Sequence, residues 1–124
     1  MEKMIRLSLL LNIAVLIPVC LGLLVDAAWT VDSYGVETAA RGILLSIYGA
    51  ILVLSTLLLF RPEAMLVAPL LLVQVIYKLT TPFTVGSFSN PVVISNIVIA
   101  LLHIATLTLI LRAIRSNAPK EKAS

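Results

Sequence analysis

Four uninterrupted apolar runs, Leu7–Val25, Gly42–Phe60, Ala64–Thr80 and Val92–Leu111, constrain this chain more than any motif in it. A helix needs roughly 20 apolar residues to cross about 30 Å of hydrocarbon, and each run is close to that length. None of them holds an aspartate or glutamate, and the only lysine inside one is Lys78, near its end. Open strands leave backbone groups unsatisfied in lipid, and barrel strands need an alternation of polarity that these runs lack. The sequence therefore predicts an all-α integral membrane protein. It forms a single domain, residues 1–124, folded as a four-helix antiparallel bundle.

Composition closes off the soluble alternatives. The chain is 60% apolar and 12% charged, against roughly 45–50% and about 25% in an average globular domain. Too few polar side chains remain to coat a water-soluble surface, which excludes a soluble enzyme, a disordered tail and a nucleic-acid-binding module. One cysteine rules out an internal disulfide, and one histidine rules out a metal or haem site built from several imidazoles. No metal or cofactor is expected. Lys3 and Arg6 give the first span a basic leader, as in a signal peptide, but its apolar stretch exceeds the usual 7–15 or so residues. A retained helix is the reading.

Charge placement predicts the topology. Lys3, Arg6, Arg61, Arg112, Arg115, Lys120 and Lys122 fall on one side of the spans, and only Arg41 and Lys78 on the other. The positive-inside rule then puts both termini and the turn Arg61-Pro62-Glu63 in the cytoplasm, with a bacterial inner membrane as the expected location. Trp29, Tyr34, Phe83 and Phe88 would form an aromatic belt at the outer interface. The three-residue turn makes the second and third spans antiparallel neighbours. The first outer loop is expected to be partly helical after Gly35, with Glu37 and Arg41 paired across one turn. The second, Thr81–Pro91, should be irregular, and the tail Ser116–Ser124 polar and mobile.

The informative residues are the polar ones that lipid should exclude. At 100° per residue each span carries one polar stripe: Ser8 and Asn12 in the first, Arg41, Tyr48 and Ser55 in the second, Gln74, Tyr77 and Lys78 in the third, Asn96 and His103 in the fourth. Turned towards each other, these stripes predict a narrow pocket open to the outer face and floored near His103 and Gln74. Its candidate ligand-pocket residues are Arg41, Tyr48, Gln74, Lys78, Asn96 and His103. Two cations at its mouth and aliphatic walls would favour an anionic or carbonyl-bearing ligand with an apolar body. Each residue also has a plainer reading. Gln74, Asn96 and His103 serve as interhelical hydrogen-bond glue, Tyr48 packs and bonds a carbonyl, and Lys78 snorkels to the headgroups. Gly42, Ser46 and Ala50 repeat every four residues, which predicts close helix packing against the first or third span, with a homodimer contact as the alternative.

Two functional readings follow. The first is a small non-catalytic membrane subunit or accessory protein that docks in the bilayer onto other membrane subunits or into a homo-oligomer. The second is a membrane-embedded binder of a small lipid-soluble molecule, or an acid–base enzyme using His103 on it, in the outward pocket. No span holds the carboxylate that a proton-coupled exporter usually needs.

Overall fold

The computed structural model describes the backbone of residues 1–123 and the side chains of residues 1–116. It contains five helices: α1 (Glu2–Leu24), α2 (Ala28–Tyr34), α3 (Ala39–Phe60), α4 (Ala64–Val85) and α5 (Pro91–Ala123), with no strand among the described residues. Four are long and apolar enough to cross a membrane: α1, α3, α4 and the Pro91–Ser116 part of α5. Their exposed surface is leucine, isoleucine, valine and phenylalanine, including Leu57, Phe60, Leu72 and Leu101. A water-soluble bundle would not leave such faces open, because large exposed apolar patches mark surfaces meant for another apolar phase. The chain is an all-helical membrane protein.

Helix ends follow local chemistry. The Thr38 hydroxyl accepts the Arg41 backbone N–H at 3.3 Å and starts α3. Asn90 accepts the Val92 N–H at 2.9 Å, with Pro91 as the first residue of α5. Gly86, at φ 75°, ends α4 in the left-handed conformation that a glycine adopts at no steric cost.

Two loops are shorter or differently built than the sequence suggests. Residues 81–85 belong to α4, so only residues 86–90 separate it from α5. Pro82 cannot donate to the Lys78 carbonyl one turn back, a loss that normally ends a helix. Here the Thr81 hydroxyl donates to that same carbonyl at 2.6 Å, and α4 continues. In the loop between α1 and α3, helix resumes at Ala39 after Gly35 as expected, and a separate short helix, α2, also lies before Gly35. At α2, Trp29 and Thr30 close directly over Gly22 of α1, and the Thr30 hydroxyl donates to the Gly22 carbonyl at 3.3 Å. A Cβ at Gly22 would sit 2.4 Å from the Trp29 ring, so only glycine lets α2 dock there. At the other end, α5 runs helically to Ala123 rather than stopping at residue 116. The side chains of Lys120 and Lys122 lie outside the described residues.

The tightest helix pairs are α1 with α3 and α4 with α5; α3 and α4, though joined by three residues, touch much less. The turn brings their ends together, but away from it the bulky Tyr48 and Tyr77 stand beside a cavity between the two helices. Register within each pair is set by polar contacts. Asp26 meets Arg41 at 2.6 Å and Asn12 meets Ser55 at 3.1 Å, fourteen residues apart on both segments. Asn96 meets Thr81 at 3.2 Å. Ser8 and Thr106, at 2.7 Å, tie α1 to α5. Ile5, Leu9, Val67, Leu71 and Ile110 fill the core at this end.

The small-residue stripe does not pack inside the chain. Gly42, Ser46 and Ala50 are all exposed, and nothing lies within 4 Å of where a Gly42 Cβ would stand. Arg41, one residue from the stripe, points into the bundle, which turns Gly42 away from it.

Candidate functional site

All six candidate residues, Arg41, Tyr48, Gln74, Lys78, Asn96 and His103, are buried between the helices, and none faces outward. The polar stripes meet, as their spacing requires. They do not form one pocket, however.

At the end of the bundle that carries α2, Arg41 is enclosed, its side chain 4% exposed. It donates to the Asp26 carboxylate at 2.6 Å, to the Gly35 carbonyl at 3.0 Å and to the Leu23 carbonyl at 3.5 Å. The expected partner, Glu37, stays exposed and makes no ion pair among the described residues. Asp26 wins because it follows α1 in a left-handed turn, φ 55°, that delivers its carboxylate to the start of α3. Arg41 is thus a structural latch holding α1, α2 and α3 together, and its charge is neutralised.

Below the latch lies a cavity of about 430 Å³. Its walls come from α2 and the start of its following turn (Ser33, Tyr34, Gly35), from α3 (Leu44, Tyr48), from α4 (Tyr77, Thr81, Val85) and from Asn90, Val92, Val93 and Asn96. Tyr48 and Asn96 are therefore the two sequence candidates that line it. Arg41, Gln74, Lys78 and His103 do not, and its lining carries no formal charge. A smaller cavity of about 190 Å³ adjoins it through Ser33, Tyr34, Val92 and Asn96, with Trp29 on its far wall. Asn90 donates to the Ser33 carbonyl at 3.0 Å and so fixes the α2 end over the larger cavity.

Three tyrosines dominate this space. Tyr34 and Tyr48 stack edge to face, centroids 6.1 Å apart and planes at 75°. Burial raises the Tyr34 phenol well above its ordinary range, keeping it a neutral hydroxyl. The Tyr77 hydroxyl is buried with no hydrogen-bond partner among the described residues.

Beneath the cavity the polar interior continues. The Lys78 ammonium sits over the Tyr77 ring, 4.9 Å from its centroid, and forms no ion pair among the described residues. Two turns below the Asn96–Thr81 contact, the shared register of α4 and α5 puts Gln74 level with His103. Gln74 Nε2 donates to the Leu70 carbonyl at 3.3 Å, while Gln74 Oε1 and both His103 ring nitrogens have no partner among the described residues. Asn12, Ser55, Ser8 and Thr106 complete the column towards the opposite end.

Sequence reasoning missed Thr106 and the cavity roles of Tyr34, Thr81 and Asn90. Thr106 stands one turn from His103 on the same face, and Thr81 two turns from Gln74, so helical spacing carried a signal for both. Tyr34 ends the seven-residue α2 and Asn90 sits in the turn before α5, segments too short for periodicity to apply. Of the expected aromatic belt, Trp29, Phe83 and Phe88 are exposed and Phe83 and Phe88 stack at 6.0 Å, whereas Tyr34 turns inward. Cys20 is a half-buried free thiol packed against the core.

Fold and site together define the class: a helical membrane protein of four apolar helices with a polar interior and a tyrosine-lined cavity at one end. No family model, curated protein or solved structure matches the chain.

Proposed function

We propose that the protein is an antiparallel four-helix bundle of the bacterial inner membrane, with both termini cytoplasmic, that binds a small lipid-soluble molecule in its outer cavity. The observation that carries this reading is the cavity itself. Ligand sites are typically concave, roughly 300–1,000 Å³, mostly apolar, with a few placed polar groups. This one has aliphatic and aromatic walls, amide groups from Asn90 and Asn96, and one buried tyrosine hydroxyl in need of a partner. The ligand has an apolar body and one polar head. Because Arg41 is neutralised by Asp26 and Lys78 lies behind Tyr77, the mouth is not the ring of cations that charge counting suggests.

The topology follows from the bias of positive charge, and labelling tests it. In a Cys20→Ala background, cysteines placed at the exposed Glu37 and Ser89 should react with an impermeant reagent from outside, and one at Ser116 should not. Reaction at Ser116 in intact cells overturns the orientation.

Binding can be read through Trp29, the only tryptophan in the chain, which borders the adjoining cavity. In nanodiscs, a bromine-labelled decanol should quench Trp29 saturably. Leu44→Phe, which fills the cavity, should abolish that saturation. Quenching that rises linearly with probe in both proteins means partition into lipid only, and the reading fails.

One observation favours a second reading, an accessory subunit. The stripe Gly42, Ser46 and Ala50 faces away from every helix of its own chain. Such a stripe suits close approach of another transmembrane helix, from a different subunit or a second copy. Native mass spectrometry after gentle extraction separates the two, since a co-purifying chain supports docking and a retained small molecule supports binding.

A further inference from the structure

We infer that the head group of the bound molecule is a monoanion, a carboxylate on an apolar tail, and that Lys78 is its counter-charge. This rests on the cavity being a ligand site. Four observations converge on it. Lys78 is 5% exposed on a membrane-spanning helix, and no carboxylate of the described residues pairs with it. The two other charges buried in or bordering the bundle, Arg41 and Asp26, satisfy each other, so Lys78 has no counter-ion to borrow. What holds its ammonium is the face of the Tyr77 ring, a weak electrostatic partner compared with an oxyanion. Finally, Tyr77 borders the cavity, and its hydroxyl is buried without a partner. Lys78 is therefore one ring away from the ligand space.

An unpaired ammonium removed from water carries a desolvation penalty that only a counter-charge with good geometry offsets. Once the Tyr77 ring swings aside from Lys78, an arriving carboxylate would accept from Lys78 Nζ and from the Tyr77 hydroxyl at the cavity wall, while its tail fills the cavity. A longer descent is disfavoured. One turn deeper stands the neutral Gln74 amide, which brings no counter-charge. The head group thus belongs at the Lys78–Tyr77 level and not at His103. A neutral alcohol of the same length gains the cavity walls but offers no counter-charge to the lysine.

The test compares decanoate with decanol on the full-length protein in nanodiscs of zwitterionic lipid, above the carboxylate pKa. Each competes against the bromine-labelled decanol read through Trp29. Wild type should bind decanoate at least tenfold more tightly than decanol, after correction for partition into protein-free nanodiscs. Lys78→Gln should erase that preference. Equal affinity of wild type for the two compounds overturns the inference while leaving the ligand-site reading standing. Absence of saturable binding by either overturns both. The wild-type comparison needs no variant to fold, and Lys78→Arg, which keeps the charge, should retain a preference for the acid that Lys78→Gln loses.

Discussion

Replacing Asp26 by asparagine should destabilise the protein by about 2 kcal/mol, and replacing it by alanine by about 3. Removing one partner of a buried pair typically costs about 3–5 kcal/mol, because the remaining charge is left uncompensated. That range is reduced here on two grounds. The Asp26 side chain is 51% exposed, so solvent already screens the pair. Arg41 also keeps the Gly35 and Leu23 carbonyls as acceptors. Alanine loses more than asparagine because position 26 has φ 55°, where asparagine is tolerated and a residue without a local hydrogen bond costs about 1 kcal/mol more. Thermal unfolding of the purified protein in detergent, with a double-mutant cycle through Arg41→Gln, measures the coupling. If Asp26→Asn unfolds with the wild type, the latch contributes nothing and α2 is held by its packing on Gly22 and by the Asn90–Ser33 contact.

The second large effect has the opposite sign. His103→Leu should stabilise the protein by about 2 kcal/mol. The ring is fully buried, and neither nitrogen makes a well-formed hydrogen bond to a described group. A buried polar group without a partner costs about 1–3 kcal/mol, and an apolar residue of similar size removes that cost. The same unfolding assay decides it: a loss of stability on His103→Leu would mean that the imidazole is satisfied in the membrane by a group outside the chain. Retaining a costly residue fits a functional use of it, since stability and function commonly trade against each other at such positions.

The number of membrane-crossing helices was legible at once, because the length and uniform polarity of the runs leave no other way to satisfy a backbone in lipid. Arg41, Tyr48, Gln74, Lys78, Asn96 and His103 were legible as interior residues for a related reason. Helical spacing aligns each with the other polar residues of its span, and lipid offers those stripes nowhere to point but inward. Periodicity fails where it has nothing to act on. It reported that Gly42, Ser46 and Ala50 share a face, but not which way that face turns; the burial of Arg41 next to them decided it outward. Nor did the short turn before α4 make α3 and α4 the tightest pair, because packing between helices depends on side-chain bulk along their whole length, and Tyr48 and Tyr77 hold these two apart.

What the sequence determined by itself is the solvent of each segment. Apolar runs, an uneven count of basic residues and one polar stripe per helix are one-dimensional properties, read without knowing any neighbour. What only the tertiary structure decided is pairing. Whether Arg41 takes Asp26 or Glu37, whether Thr81 or a helix break answers Pro82, whether Lys78 reaches a carboxylate or only a tyrosine ring, all depend on angles and registers between segments far apart in the chain. Those choices turn an expected pocket ringed by cations into a neutral, tyrosine-lined cavity with one unneutralised lysine behind its wall. The reason is physical: a burial preference acts on a residue alone, whereas an ion pair or hydrogen bond exists only when two residues arrive within about 3 Å of each other.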